Sequence, residues 1–167
     1  MFRKIQDFES VWMQEMDSTR KMFKHIPDRC LPQSVEPGGR TLGRLAWHIV
    51  LTIPEMMTKT GLSVNGPAEN SEVPSSMKEI LLAYEGAGLS LMEEMKSKWT
   101  DGSLEDSDEM YGQMWKRGFT LTALIAHQTH HRGQMTVLMR QAGLKVPGVY
   151  GPAREEWSLW GMPEPTI

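Results

Sequence analysis

The chain has 167 residues, of which 40% are hydrophobic and 23% charged, and this composition predicts one globular domain spanning residues 1–167. A formal net charge of −3 argues against a dedicated nucleic-acid binder, because such proteins carry a clearly basic face. The single cysteine, Cys30, excludes an internal disulfide, and no apolar segment is long enough for a secretory signal or a membrane helix, so we expect a cytoplasmic protein without membrane contacts.

Apolar residues recur at three- and four-residue steps in four segments of the chain, which is the spacing of helix faces. The chain has 29 Leu and Met residues against 15 Val and Ile, and this ratio also favours helices over strands. Four amphipathic helices of about twenty residues predict an all-α protein with a four-helix bundle. The predicted helices run from about Phe2 to His25, from Thr41 to Lys59, from Ser76 to about Asp101 and from Thr120 to Ala142.

Several residues indicate how these helices begin and end. Pro54 lies inside the second pattern, so it should kink that helix unless the helix ends nearby. Ser76 and Glu79 have the spacing of a capping box at the start of the third helix. Gly143 followed by Leu144 predicts a Schellman stop after the fourth helix.

The segment between the third and fourth helices is acidic. It contains Glu105, Asp106, Asp108 and Glu109 and predicts a solvated loop. After the fourth helix, Pro152 is expected to open one short helix in the tail.

Histidines supply the one pattern that points to chemistry. His127 and His131 are four residues apart on the fourth helix, so both imidazoles can reach one divalent ion from the same face. His131 falls within the apolar stripe and His127 on its flank, whereas His130 points away. His48, at the edge of the apolar stripe of the second helix, is the candidate third ligand.

Three neutral imidazoles would leave a coordination position open for water or substrate, which is typical of reactive rather than structural sites. The same spacing also fits histidines that hydrogen-bond to carbonyl groups and bind no metal, so the spacing is compatible with both a metal site and a structural role. The sequence has no nucleophile elbow, phosphate-binding loop or dinucleotide fingerprint, which removes the common hydrolase and nucleotide-binding classes.

Four other residues receive structural interpretations. Cys30 precedes a Leu-Pro pair and lacks an activating neighbour, and His25 is expected to interact with the carboxyl end of the first helix. Trp47 is expected to pack in the core. Glu55 lies seven residues after His48 on nearly the same face, but a solvated or capping carboxylate is the simpler interpretation, and no general base is assigned.

Two blocks of this sequence resemble the signature segments of the DinB/YfiT-like metalloprotein superfamily. They are Leu45–Ile49, which reads Leu-Ala-Trp-His-Ile, and His127–Gln134, which reads His-Gln-Thr-His-His-Arg-Gly-Gln. Met110–Gln113 and Leu144–Pro152 also look like the DinB family, and the resemblance covers about residues 41–157.

The resemblance implies a four-helix bundle with up-down-down-up order, and a homodimer formed through the bundle helices. It also implies one divalent ion per chain, zinc, nickel or a similar metal, held by three histidines. By position these are His48, His127 and His131, and His130 matches a position that is not a ligand.

Family members with known activities include thiol-dependent S-transferases and maleylpyruvate isomerase-like enzymes. The resemblance therefore implies a metal-dependent thiol S-transferase that acts on a small molecule, with a low-molecular-weight thiol as its partner. A metal-dependent hydrolase and a non-catalytic metal-binding stress-response protein are the alternatives.

Overall fold

The computed structural model describes residues 1–166, and these residues are mostly helical. The first two long helices, α1 and α2, form as the apolar spacing predicts, and so do α3 and α4 further along the chain. Their bounds are Ile5–Lys24 for α1, Leu42–Thr58 for α2, Met77–Lys98 for α3 and Arg117–Gln141 for α4. The described residues also contain three short 3-10 helices, which span Asp28–Cys30, Asp101–Glu105 and Arg154–Trp160.

An antiparallel hairpin between α3 and α4 corrects the prediction of an all-α chain. Strand β1, Ser107–Met110, pairs with β2, Gln113–Lys116, so that Met110 is opposite Gln113. The acidic segment that was predicted to be a solvated loop thus contains a strand. Only Met110 is buried in this hairpin, so its residues lack the alternating apolar pattern by which strands are recognised.

Hydrogen bonds near the ends of the helices show which helices run in the same direction. The Phe2 N–H donates to the Gly118 carbonyl at 3.1 Å, so α1 and α4 begin side by side. The Ile5 N–H donates to an Asp101 carboxylate oxygen at 2.9 Å, which places the start of α1 beside the end of α3. The Asn65 N–H donates to Ser90 at 2.8 Å, so the chain leaving α2 lies along the second half of α3.

Each of α1 and α2 packs against both α3 and α4. At the contact between α1 and α3, a Cβ added to Gly88 would lie 2.5 Å from the Met16 side chain, so glycine permits this close approach. The Trp12 indole N–H donates to the Gly88 carbonyl at 3.2 Å. The core is formed by apolar side chains from all four helices, among them Phe8, Trp12, Ile49, Ile53, Tyr84, Leu91, Leu124 and Leu138.

The capping box predicted at the start of α3 is absent. The side chain of Ser76 makes no capping hydrogen bond, and a carboxylate oxygen of Asp28 accepts the Met77 N–H at 2.8 Å instead. Asp28, which is distant in sequence, therefore caps the start of α3 in place of the predicted pair of Ser76 and Glu79.

The other two predictions about helix ends are consistent with the structure. Helix α2 continues past Pro54 and ends four residues later. After α4, Gly143 has a φ of 72°, its N–H donates to Arg140, and the Leu144 N–H reaches back to Met139 at 2.9 Å, which confirms the Schellman motif. Within residues 1–166, no helix combines the length and the apolar content that crossing a bilayer requires.

Candidate metal centre

The packing of α2 against α4 brings three histidines together. His48 projects from α2, and His127 and His131 project from α4, so that one possible ligand atom from each lies within 4.8 Å of the other two. His131 is buried and the other two are half-buried, whereas His130 is exposed, as the helical periodicity predicts. The three side chains selected from the sequence are therefore close enough to hold a metal ion.

The nitrogen atoms within this cluster converge. The Nε2 atoms of His127 and His131 are 3.0 Å apart, and the His48 ring centroid lies 5.0 Å and 4.7 Å from the His127 and His131 centroids. Two imidazole nitrogens bound to one tetrahedral zinc ion, at about 2.0 Å each, are roughly 3.3 Å apart. The donor set and its spacing thus fit a divalent ion.

The ring of His131 is oriented by a neighbour on α4. Its Nδ1 atom lies 2.7 Å from Oε1 of Gln134, an amide oxygen that can only accept. Nδ1 consequently carries the proton, and the lone pair of Nε2 is left facing His127. This arrangement, in which the outer nitrogen donates to a second residue, is common in metal-binding histidines. Nδ1 of His127 is buried without a partner among residues 1–166.

Burial keeps these imidazoles neutral. Burial, together with the smaller effect of the neighbouring histidines, lowers the pKa of His48 and of His127 from 6.5 to about 4. Burial also lowers the pKa of His131, against the hydrogen bond to Gln134, which raises it. All three rings are therefore neutral at pH 7, the form in which imidazole binds metals.

A cavity of about 490 Å³ opens beside the histidine cluster. Residues of α2 and α4 form two of its walls, with His48 and His127 among them, and the hairpin closes a third. The α2 wall also includes Arg44 and Glu55, so charged side chains lie on both sides of His48 along the helix. A small molecule in this cavity would contact the histidines directly.

The hairpin contribution to this cavity was missed in the sequence. Tyr111 lies at the turn with a φ of 52°, a left-handed conformation that is unusual for a bulky residue. Its hydroxyl donates to Glu55 at 2.7 Å, and its ring lies 5.7 Å from that of Trp115. Glu55, which was expected to be a solvated or capping carboxylate, lines the cavity and also pairs with Lys59 at 3.3 Å.

A buried polar network behind the histidines was also missed. Arg132 is 3% exposed and pairs with the carboxylate of Glu15, which is 6% exposed. The same guanidinium donates to Thr19 at 3.0 Å and to the Tyr150 hydroxyl at 2.6 Å. Arg132 follows His131 directly, so this network anchors the histidine segment of α4 to α1 and to the C-terminal segment.

The residues interpreted as structural lie outside the histidine cluster. Trp47 is buried in the core and donates to the Ser71 carbonyl at 3.3 Å, and it is not part of the cavity wall. The His25 ring bonds to the Lys21 carbonyl at 2.8 Å within the last turn of α1. Cys30 is a half-buried free thiol.

Comparison with known proteins identifies related chains. A model of the DinB family matches residues 1–165. An uncharacterized protein of Bacillus subtilis, YrdA, is 43% identical over 167 residues, which is the whole of both chains. A DinB-like protein from Bacillus cereus has a crystal structure that matches with a TM-score of 0.86 at 45% identity, over 90% of this chain and 100% of that one. A second DinB-like protein, YjoA of Bacillus subtilis, shares the fold with a TM-score of 0.66 at 13% identity, over 86% and 97% of the two chains.

Proposed function

The chain belongs to the DinB family, and we propose that it is a metal-dependent enzyme of the thiol S-transferase type that acts on a small molecule. His48, His127 and His131 hold one divalent ion per chain, zinc, nickel or a similar metal. The observation that carries the proposal is that three neutral imidazoles converge at the wall of an open cavity. An ion held there has protein ligands on one side and room for a small molecule on the other.

The finer architecture belongs to the same proposal. We infer a single domain in which the four α-helices form a bundle with up-down-down-up order. The side-by-side starts of α1 and α4 support this order, and so does the antiparallel contact of α1 with α3. In such a bundle α2 and α4 run in opposite directions and their facing sides supply the metal ligands.

The chemistry of the site divides between the ion and the protein. A bound divalent ion would supply a Lewis acid that favours the anionic form of a thiol. Gln134 holds the His131 proton on Nδ1, so that the lone pair of Nε2 stays available. Tyr111 keeps its phenolic proton, because burial and the adjacent Glu55 carboxylate raise its pKa.

Apolar groups of the cavity limit the access of water to the reacting atoms. Leu51 and Met56 on α2 and Trp115 on the hairpin line the space next to His48. Charge interactions are stronger where water is excluded, so these side chains favour an anionic nucleophile close to a cation.

The direct test is a spectroscopic titration with a thiol. The full chain is loaded with cobalt and titrated with 2-mercaptoethanol, and we expect a sulfur-to-metal charge-transfer band that saturates. Binding should strengthen as the pH rises for as long as the free thiol is still protonated, because the thiol loses its proton when it binds. The His131→Ala protein is the control without a complete site.

The result also separates the alternatives. Absence of the band while cobalt stays bound contradicts the thiol S-transferase proposal and favours a hydrolase or a non-catalytic metal-binding protein. Hydrolysis of a chromogenic ester that depends on the bound metal would then distinguish these two.

A further inference from the structure

Arg44 is a cation of the cavity wall without a protein counter-ion. It lies one helical turn before His48 on α2 and lines the same cavity. Its backbone N–H donates to Thr41, but its guanidinium makes no hydrogen bond or ion pair with any residue in the range 1–166. Glu55, by contrast, accepts from Tyr111 and pairs with Lys59.

We propose that this cavity binds a small molecule that carries a carboxylate, which Arg44 holds, and an apolar body that packs against Leu51, Met56 and Trp115. The inference rests on the proposed function and names the substrate class of the same site. A guanidinium can donate two parallel hydrogen bonds to one carboxylate, and this geometry makes arginine the residue best suited to such a group.

The order of groups along α2 sets the orientation of the ligand. With a rise of 1.5 Å per residue, Arg44 lies roughly 6 Å from His48 along the axis, and Glu55 lies roughly 10 Å away in the other direction. Leu51 lies between these two charged ends on the same wall. A ligand whose reacting atom is level with His48 therefore has its carboxylate toward Arg44 and its apolar body toward the hairpin.

The charges at the two ends of the cavity favour the same orientation. Near the hairpin, burial and then the carboxylates of Glu55 and Glu69 raise the pKa of Tyr111; Lys59 pairs with Glu55, so two carboxylates and one ammonium leave this end with a net negative charge that disfavours a ligand carboxylate. Arg40 lines a neighbouring pocket rather than this cavity, but it lies close enough to the histidines to contribute to the lowered pKa of all three. Arg44 is thus within a positive region next to the histidines.

The test uses two probes of equal size, 3-phenylpropanoate and 3-phenylpropanamide. Their affinities for the full chain are measured by titration calorimetry, once after treatment with a chelator and once after loading with zinc. We expect the acid to bind about tenfold more tightly than the amide in both states, because a charge-assisted hydrogen bond to a carboxylate contributes about this factor.

Three variants assign this preference to Arg44. Arg44→Gln should abolish the preference for the acid and leave the affinity for the amide unchanged, while Arg44→Lys should retain part of it because the charge remains. Arg29→Gln makes the same charge change at an exposed position outside the cavity and should behave like the unmodified protein. Circular dichroism checks the fold of each variant, and Arg44→Lys keeps the test valid if Arg44→Gln does not fold.

Equal affinities of the two probes for the unmodified protein overturn the inference. A preference for the acid that appears only with zinc and survives in Arg44→Gln also overturns it, because the carboxylate then binds the ion, and the proposed metal site stands. A preference that depends on Arg44 in a protein that binds no zinc supports the inference and contradicts the proposed function.

Discussion

Among the three histidines, His131 has the side chain whose orientation is most restricted. It is buried, and its hydrogen bond to Gln134 leaves Nε2 facing His127. Rotation of this ring would break that hydrogen bond and bury an unpaired nitrogen, which is costly. The His131 ring is therefore oriented before any ion binds, so binding an ion there requires little ordering of this side chain.

Replacement of His131 should remove most of the bound metal. In His131→Ala two imidazoles remain, and an ion with two protein ligands is held mostly by water. We expect about one ion per chain in the unmodified protein and less than about a tenth of that in His131→Ala after dialysis, measured by elemental analysis. His130→Ala is the matched control, because His130 is exposed and neighbours His131 in sequence, and it should keep its metal. Equal loss from both variants would contradict the ligand assignment.

The stability of the metal-free protein should depend on the histidines between pH 4 and 6.5. Burial holds the pKa of His48 and His127 at about 4 in the folded protein, whereas the unfolded chain binds the same protons near pH 6.5. In this interval the unfolded state binds more protons, so the free energy of unfolding falls as the pH falls and levels off for these groups below about pH 4.

Urea denaturation of chelator-treated protein at several pH values measures this effect. The double variant His48→Gln and His127→Gln should lose less stability than the unmodified protein between pH 6.5 and pH 4. Identical pH dependence of the two proteins would show that folding does not lower the pKa of these histidines.

The buried ion pair between Arg132 and Glu15 joins α4 to α1. Both side chains are almost inaccessible to water, so removal of one partner leaves an uncompensated charge in the core. We expect Arg132→Met to lower the free energy of unfolding by about 3–5 kcal/mol in urea denaturation.

The double variant Glu15→Met and Arg132→Met is the control for this prediction. It removes both charges together, so it should recover a large part of the stability that Arg132→Met loses. A double variant as unstable as Arg132→Met alone would mean that packing of the long side chains, rather than the buried charge, accounts for the loss.

The four helices were predictable because their signals are local. The helix ends were harder to predict from local sequence, since the group that caps α3 comes from Asp28, 49 residues away from Met77. The hairpin was missed because its strands are only four residues long and lack an alternating apolar pattern, and because its turn contains Tyr111 where asparagine or aspartate usually precedes glycine.

The candidate site likewise contains residues that the sequence reveals and residues that only the structure reveals. His127 and His131 are an i, i+4 pair, which sequence spacing reveals directly. His48 needed the additional argument that edges of neighbouring helices meet. The roles of Arg132 and Tyr111 were not predictable, because the partners of these residues, Glu15 and Glu55, are 117 and 56 residues away.

The outer face of α3 carries two exposed leucines that could take part in assembly of the protein. Leu82 and Leu89 are seven residues apart, so they lie on the same side of the helix, and they are 57% and 51% exposed. Large apolar side chains exposed on the same side of a helix leave apolar area in water, which association with a second chain would bury. This face supports the expectation of a homodimer that forms through bundle helices.

Light scattering at high micromolar concentration should therefore give twice the mass of the 19.0 kDa chain. Leu89→Glu places a charge in the middle of the expected interface, where it would lose water without gaining a partner, and we expect the dimer to weaken at least tenfold. Leu159→Glu makes the same change at a side chain that is 81% exposed in the C-terminal 3-10 helix, and this variant should remain dimeric. A monomer in the unmodified protein would contradict the homodimer. Dissociation by Leu159→Glu but not by Leu89→Glu would instead assign the contact to the C-terminal segment, because the same charge then disrupts association only there.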